Sequence, residues 1–410
     1  MECRFVREVV KAASQEDEQL CERQLLSLHL LVEKWKAERS RWWRFIRSIP
    51  PSYDTLENWS EQSVARLQYK PFLAIAARRK RVVNDEFSQL QRLLSRCKKR
   101  SWNEPEAAEE AERIQLGFSS FSREDYLWAA GTVSTRSCHY ERKSGYSLRG
   151  ETVGCLVPVL DFLNHSTAPV AACGFCKDAM VYRVTCLRSY EEGEQVMIHY
   201  GNWSNAGLLE HYGFVLEDNP LDSCMLWLRH PPNPPEHLIA TPTLKSEFRR
   251  MQDMIISFGK EVEEDGTNSR APRMGETKAA SWLEFELYAG DEGAPAELSW
   301  NILTFLRWSA YLANGIYDAS FFDKLLEADE DSPVSLQNET EALQMLEKSL
   351  QNVLSTLAIT DGDEANKCGN DHDRIAVTLK KQAGKIIMKH MSWLRLRHIE
   401  LENEKQKDCK

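Results

Sequence analysis

Apolar residues recur at helical spacing along most of the first 138 residues. Leu25, Leu26, Leu28, Leu30 and Leu31 form one stripe, and Phe87, Leu90, Leu93 and Leu94 another. No glycine precedes Gly117, and Pro50-Pro51 breaks this region. Trp42, Trp43, Trp59 and Trp102 lie near the expected helix ends, and residues 104–112 read as a polar loop or helix end. Ser122, followed by Arg123-Glu124-Asp125, predicts an N-cap with acidic side chains at the positive end of the dipole. That helix carries Tyr126, Leu127, Trp128 and Val133 and reaches Arg136. Residues 139–151 read as a polar loop. The period then shortens to two, with strands expected over 155–159, 180–186 and 195–199. Residues 191–194 predict a tight turn, with Gly193 supplying a positive φ. One short helix is expected over 204–211, with Gly213 to end it. Beyond Pro220 the composition changes. Pro231, Pro232, Pro234 and Pro235 mark a linker, and helices are expected over 238–258, 296–315, 319–328, 337–357 and 371–403. The stretches 261–278 and 361–373 read as polar breaks, and no repeat recurs at a fixed period.

A chain of 410 residues calls for two or three domains. With 42% hydrophobic and 28% charged residues the composition is that of a globular protein. No stretch has the length of a membrane helix, and the mixed charges of the first residues lack a signal peptide's apolar run. The net charge of −10 argues against general nucleic-acid binding, which needs a basic face. The eleven cysteines form no regular framework. Without a secretory signal they read as reduced thiols, so a cytoplasmic or nuclear protein is expected. The pair Cys173 and Cys176 could be half of a zinc site with Cys155 or Cys186; two thiols packed around a turn is the reading preferred here. Arg78-Arg79-Lys80-Arg81 resembles a nuclear-import cluster, but a solvated helix face accounts for it as well.

The chemistry concentrates in one region. Residues 159–166 read Val-Leu-Asp-Phe-Leu-Asn-His-Ser. About thirty residues on come Gly193-Glu194-Gln195-Val196-Met197-Ile198-His199-Tyr200-Gly201, then Ser204-Asn205-Ala206, then His211-Tyr212-Gly213-Phe214-Val215. An Asn-His pair ending an apolar run, followed by a strand ending in Tyr-Gly, resembles the SET-domain protein methyltransferases, and the Rubisco large-subunit methyltransferase type in particular. The resemblance implies an α+β fold. A SET core of short, mostly antiparallel strands with a large helical insert precedes an all-α C-terminal substrate-binding domain. The implied division is a tail or helix over 1–19, the insert over 20–138, the core over 139–221 and the C-terminal domain over 222–410. A threaded segment near Tyr212 is also implied, which ordinary topology rules would not give.

The implied activity is methyl transfer from S-adenosylmethionine to a protein side chain, with no metal. Such a displacement needs a neutral amine, in-line reactants and a dry channel. By resemblance Tyr200 is the catalytic residue. A phenol with a pKa near roughly 10 is a poor base at neutral pH, so its expected role is to orient the amine and accept weak C–H···O contacts. Asn164 and His165 match the family's cofactor-binding pair, and Arg136 its carboxylate-holding arginine, a task that suits a bidentate fork. Tyr212 and Phe214 match the aromatic wall that contacts cofactor and lines the substrate channel, and Asp161 is expected to face that channel. The family's Gly-x-Gly near the start of the SET region has no counterpart before Gly117, and the resemblance covers roughly residues 20–400. A lysine acceptor is the first expectation, with a histidine acceptor or a non-catalytic protein-binding module as alternatives. A monomer is expected, with a protein substrate as its partner and neither nucleic acid nor membrane involved.

Overall fold

The computed structural model describes residues 4–97, 108–142, 151–229, 241–258, 260–262, 282–290, 296, 298–315, 320–329, 332–357 and 370–408. In chain order it begins with helices α1 (Arg4–Ser14), α2 (Glu22–Trp35), α3 (Trp43–Ser48), α4 (Glu61–Ala65), α5 (Lys70–Cys97), α6 (Ala108–Ser119) and α7 (Arg123–Arg136). Short strands follow: β1 (Ser137–Arg142), β2 (Glu151–Leu156), β3 (Asn164–His165), β4 (Ala171–Cys176), β5 (Val181–Cys186) and β6 (Met197–Ile198). Then come α8 (Asn205–Tyr212), β7 (Ser223–Arg229), α9 (Pro242–Phe258), β8 (Lys260–Val262) and β9 (Trp282–Tyr288). The described chain closes with α10 (Trp300–Ala313), α11 (Ser320–Glu327), α12 (Leu336–Leu357) and α13 (Asp371–Asp408). Two compact units result. One comprises Met1–Trp59, Arg79–Asn202 and Gly207–Phe214; the other comprises Ser60–Arg78, Trp203–Ala206 and Val215–Lys410.

The first unit has a helical core because its leucine stripes face one another. Leu28 and Val32 of α2, Val83, Leu90, Leu93 and Leu94 of α5, and Tyr126 and Ala130 of α7 are buried together. A polar knot fixes how these helices meet. Glu86 receives Arg23 through Nη2 at 2.7 Å and Nε at 3.1 Å, and the Tyr126 hydroxyl at 2.7 Å. Each carboxylate lone pair so used offsets the cost of bringing the charge out of water. Ser122 caps α7 as expected. Its Oγ accepts from Asp125 N–H at 3.1 Å while Asp125 accepts from Ser122 N–H at 3.2 Å, a reciprocal box that satisfies two otherwise orphaned amides. Of the basic run at 78–81, Arg79 turns inward. It is 8% exposed and bonds Glu57 at 2.9 Å, so this position is not part of a solvated face.

The β part of this unit is a set of two-stranded ladders. β1 pairs antiparallel with β2, β4 pairs antiparallel with β5, and β3 pairs parallel with β6. Residues 139–142, expected as loop, are strand, since Tyr140 and Arg142 find partners in Val153 and Glu151. The strand expected over 155–159 stops at Leu156. Pro158 lacks an amide, and Val159 has φ 78°, an uncommon conformation for a β-branched residue. Gly193 has φ 89° in the expected turn, closed by Glu194 N–H to the Glu191 carbonyl at 3.1 Å. Cys173 and Cys176 both lie on β4 rather than around a turn. Three residues apart on a strand, they point to opposite faces. No group of three or more metal-type side chains converges among the described residues.

The second unit corrects the expectation of an all-α domain over 222–410. β7, β9 and β8 form a three-stranded antiparallel sheet in that spatial order. β9 alternates buried with more exposed positions, whereas β7 is buried along most of its length. Cys224, Leu226 and Leu228 face inward opposite Leu287, Phe285 and Leu283, all buried. More than fifty residues separate β7 from β9, so no hairpin turn marks the pair in the sequence. Helix α10 is buried along nearly its whole length, and Trp308 packs against Phe248 of α9 and Phe322 of α11. Arg307 of α10 is fully buried. Glu339 of α12 neutralises it through contacts of 2.6 and 3.0 Å, with the Asp329 carbonyl as a third acceptor. Ser60–Arg78, placed by the sequence in the helical insert, groups with this unit. The expected linker at 231–235, most of 261–278 and most of 361–373 lie outside the described residues. Among the described residues no helix is long and apolar enough to cross a membrane.

Removing one partner of a buried ion pair strands the other charge. Glu339→Ala is therefore expected to lower the stability of the second unit by about 3–5 kcal/mol, and Arg307→Met with Glu339→Leu to recover most of it. Urea unfolding followed by tryptophan fluorescence measures both.

Candidate functional site

The end of α7 delivers Arg136 into the first unit. Its Nη1 donates to the Asp161 carbonyl at 2.9 Å and to Asp161 Oδ2 at 3.0 Å. Asp161 sits in the 3-10 turn Leu160–Phe162 that the Val159 conformation sets up, and its side chain has 0% exposure. Burial raises the Asp161 pKa, and the hydrogen bond and charge of Arg136 oppose that rise. Tyr53 completes the setting. It lies close enough to hydrogen-bond Arg136, and its hydroxyl donates to Thr132 Oγ1 at 2.9 Å. Two atoms here remain unused by the protein: Arg136 Nε and Asp161 Oδ1 are buried and have no hydrogen-bond partner. One is a cationic donor and the other an anionic acceptor. Buried polar atoms are seldom left unpaired, which singles this couple out within the first unit.

The short parallel ladder of β3 and β6 positions the next residues. Asn164 pairs with Met197 and His165 with Ile198, and Ser166 N–H continues to the Ile198 carbonyl at 3.0 Å. His165 Nδ1 accepts from the Tyr200 backbone N–H at 3.1 Å. The neutral ring therefore carries its proton on Nε2, as assigned from this bond. Burial first, and the neighbouring His199 second, hold the His165 pKa below its usual value. The Tyr200 hydroxyl donates to the Leu163 carbonyl at 2.6 Å. Burial, with Tyr212 adding to it, pushes the Tyr200 pKa up to about 12. The ring is thus a neutral phenol at physiological pH and cannot serve as a general base there.

Aromatic rings surround this tyrosine. Tyr200 lies 4.8 Å from Tyr212 and 5.2 Å from His165, and Phe214 lies about equally far from Tyr212 and His165, at 6.2 and 6.1 Å. Gly213 holds the two wall residues in place. Its φ is 83°, its amide ends α8 on the Leu208 and Leu209 carbonyls, and a Cβ here would lie 2.7 Å from the Asp54 carbonyl carbon.

The structure brings Arg136, Asp161, His165, Tyr200, Tyr212 and Phe214 into one neighbourhood. Asn164 lies at its exposed margin, where its amide donates to Gln195 Oε1 at 2.9 Å. Asp161 is less a channel-facing group than the anchor of Arg136, because its side chain is buried on that guanidinium. Sequence reasoning missed Tyr53, which lies 83 residues before Arg136 with no spacing signal between them. It quoted Asn205 without giving it a role. In the second unit, Asn205 N–H and Nδ2 each donate to Asp222 at 2.7 Å, Nδ2 also donates to the Leu216 carbonyl, and Oδ1 accepts from Leu216 N–H at 2.8 Å. Every polar group of this fully buried amide is used, so its task is to clamp the chain after Phe214.

Two outcomes follow. Gly213→Ala is expected to cost about 1–3 kcal/mol from conformation alone, before the clash with Asp54, as read by chemical unfolding. For His165 the unfolded imidazole titrates near roughly 6.5 and the folded one lower. The unfolded chain therefore takes up the proton first. The stabilising contribution is complete above the unfolded pKa and is lost as pH falls through the folded one. Unfolding free energies between pH 7.5 and 5 should fall for the parent chain and fall less steeply for His165→Gln.

Known proteins resemble this chain in sequence and in fold. Residues 273–388 match the Rubisco LSMT substrate-binding family model. The chain is 28% identical over 231 residues to Protein SET DOMAIN GROUP 40 of Arabidopsis thaliana, a match covering 50% of this chain and 42% of that protein. It is 29% identical over 197 residues to the actin-histidine N-methyltransferase of Danio rerio, covering 48% and 30%. The match thus spans less than half the length of these curated relatives. Among solved structures, the SET domain of LSMT bound to lysine and AdoHcy superposes with TM-score 0.61 at 19% identity, over 97% of this chain and 80% of that one. Rubisco LSMT bound to AdoMet superposes with TM-score 0.57 at 18% identity, over 95% and 78%. The chain therefore has the α+β architecture of the SET-domain proteins of the Rubisco LSMT type, and its residues 273–388 match the model of that type's substrate-binding domain.

Proposed function

We propose that this chain is a protein N-methyltransferase that uses S-adenosylmethionine and takes a lysine side chain as acceptor. The observation that carries the reading is the unpaired, oppositely charged couple of Arg136 Nε and Asp161 Oδ1, in the same neighbourhood as His165 and Tyr200. An α-amino-carboxylate satisfies both atoms, the carboxylate on Arg136 and the ammonium on Asp161. The Nε2–H of His165 and the exposed amide of Asn164 supply the donors and acceptors that an adenine edge requires. When bound, S-adenosylmethionine supplies an electrophilic methyl group on a sulfonium. The protein's own part is positional and electrostatic. The Tyr200 hydroxyl donates to the Leu163 carbonyl, which orients its oxygen, and weak C–H···O contacts from a polarised methyl are the role assigned to that oxygen. The Tyr212 and Phe214 rings exclude water, which disfavours the charged form of a lysine whose free pKa is near roughly 10.4.

A histidine acceptor is the second reading, supported by the likeness to actin-histidine N-methyltransferases. Such an acceptor needs a group that fixes its ring tautomer. Methyl transfer to matched lysine and histidine peptides, followed by mass spectrometry, separates the two. Tyr200→Phe is expected to lower turnover by about 100-fold while S-adenosylmethionine affinity changes little. Unchanged turnover in Tyr200→Phe would refute its assigned role. A folded chain that binds the cofactor and methylates neither residue type would instead be a protein-binding module.

A further inference from the structure

One face of the β7–β9 ladder, buried at Ser223 and Met225, carries at its Trp227–Trp282 end a cluster that the methyl-transfer reading does not use. Trp227 lies opposite Glu284, and Trp282 opposite Arg229, so the two tryptophans are diagonal neighbours on one face. Both are half-buried, whereas their strand neighbours Leu228 and Leu283 form the inner core. The Trp227 indole N–H donates to Glu284 Oε2 at 2.8 Å, which fixes that ring and places a carboxylate beside it. One ammonium already addresses both rings. Lys70 Nζ lies 5.2 Å from the Trp282 centroid and 5.8 Å from that of Trp227. Lys70 is itself exposed, on the first turn of α5. The strip continues along β9 at two-residue spacing through Glu286 to Tyr288, which is 57% exposed. Aromatic faces and carboxylates are thus arrayed along one strand, in the register an extended peptide follows.

We propose that this face is a binding site for a methylated lysine of a partner polypeptide, with Lys70 as its resident competitor. Indole faces hold cations through their quadrupole, and the attraction grows as the cation gives up its water more easily. A primary ammonium is compact and strongly hydrated. A trimethylammonium is larger and sheds water readily, so it displaces Lys70 from the two rings. Glu284 and Glu286 add charge complementarity at the rim. The inference does not rest on the methyl-transfer reading, because its readout is binding.

The test is calorimetric titration of the full chain with an eight-residue peptide carrying one trimethyllysine, the same peptide unmodified, and phosphocholine. The trimethylated peptide is expected to bind at least about tenfold more tightly than the unmodified one. Lys70→Ala is expected to strengthen binding several-fold, and Trp282→Ala to weaken it by about tenfold with an unchanged circular-dichroism melt. The surface change Lys70→Ala keeps the test decisive should Trp282→Ala unfold. Equal binding of modified and unmodified peptides, tighter binding of phosphocholine, no effect of Lys70→Ala, or no binding at all would each overturn the proposal.

Discussion

The site is organised around one buried ion pair whose hydrogen bonding is incomplete. Arg136 and Asp161 lie in a part of the fold where water is largely excluded, and they hold each other through a single guanidinium nitrogen. A buried pair of this kind is a weak source of stability, since desolvation consumes much of the attraction. The pair makes sense as a preorganised charge couple with one donor and one acceptor in reserve. Other parts of the first unit keep it in place. The capped helix α7 sets Arg136, the Val159 turn sets Asp161, and Tyr53 bonds Thr132 within reach of the guanidinium.

From that couple the remaining geometry extends outward. The β3–β6 ladder is only two residues long, too short to be stable by itself. It persists because His165 bonds the Tyr200 amide and Tyr200 bonds the Leu163 carbonyl, so each residue of the site holds the other's backbone. The catalytic candidate is therefore also a structural element. Its raised pKa follows from its burial, which favours orientation over proton transfer as its role.

Much of the fold could be read along the chain. The leucine stripes of α2 and α5, the Ser122 cap, the Gly193 turn and the helix end at Gly213 are local signals, each set by a few adjacent residues. The residues gathered at the site were legible through short motifs, since Asn164-His165 and Tyr200 sit in distinctive surroundings. What was not legible depended on distance. β7 and β9 meet across more than fifty residues with no turn to announce them, and an alternating strand such as Trp282–Tyr288 is easily absorbed into a helical reading of its surroundings. Tyr53 and the inward turn of Arg79 onto Glu57 likewise depend on partners that no spacing rule supplies. Asp161, expected to face the substrate channel, is buried on Arg136, a contact that only the folded turn reveals.

The central claim is that the reserve donor and acceptor of the Arg136–Asp161 couple receive the amino-acid head group of S-adenosylmethionine. The most direct measurement is calorimetric titration of S-adenosylmethionine into the 410-residue chain and into Arg136→Met. The account predicts saturable binding that weakens by about tenfold or more in the variant, about 1.4 kcal/mol or above. Equal affinity in both chains, or no binding by a folded parent chain, would contradict it.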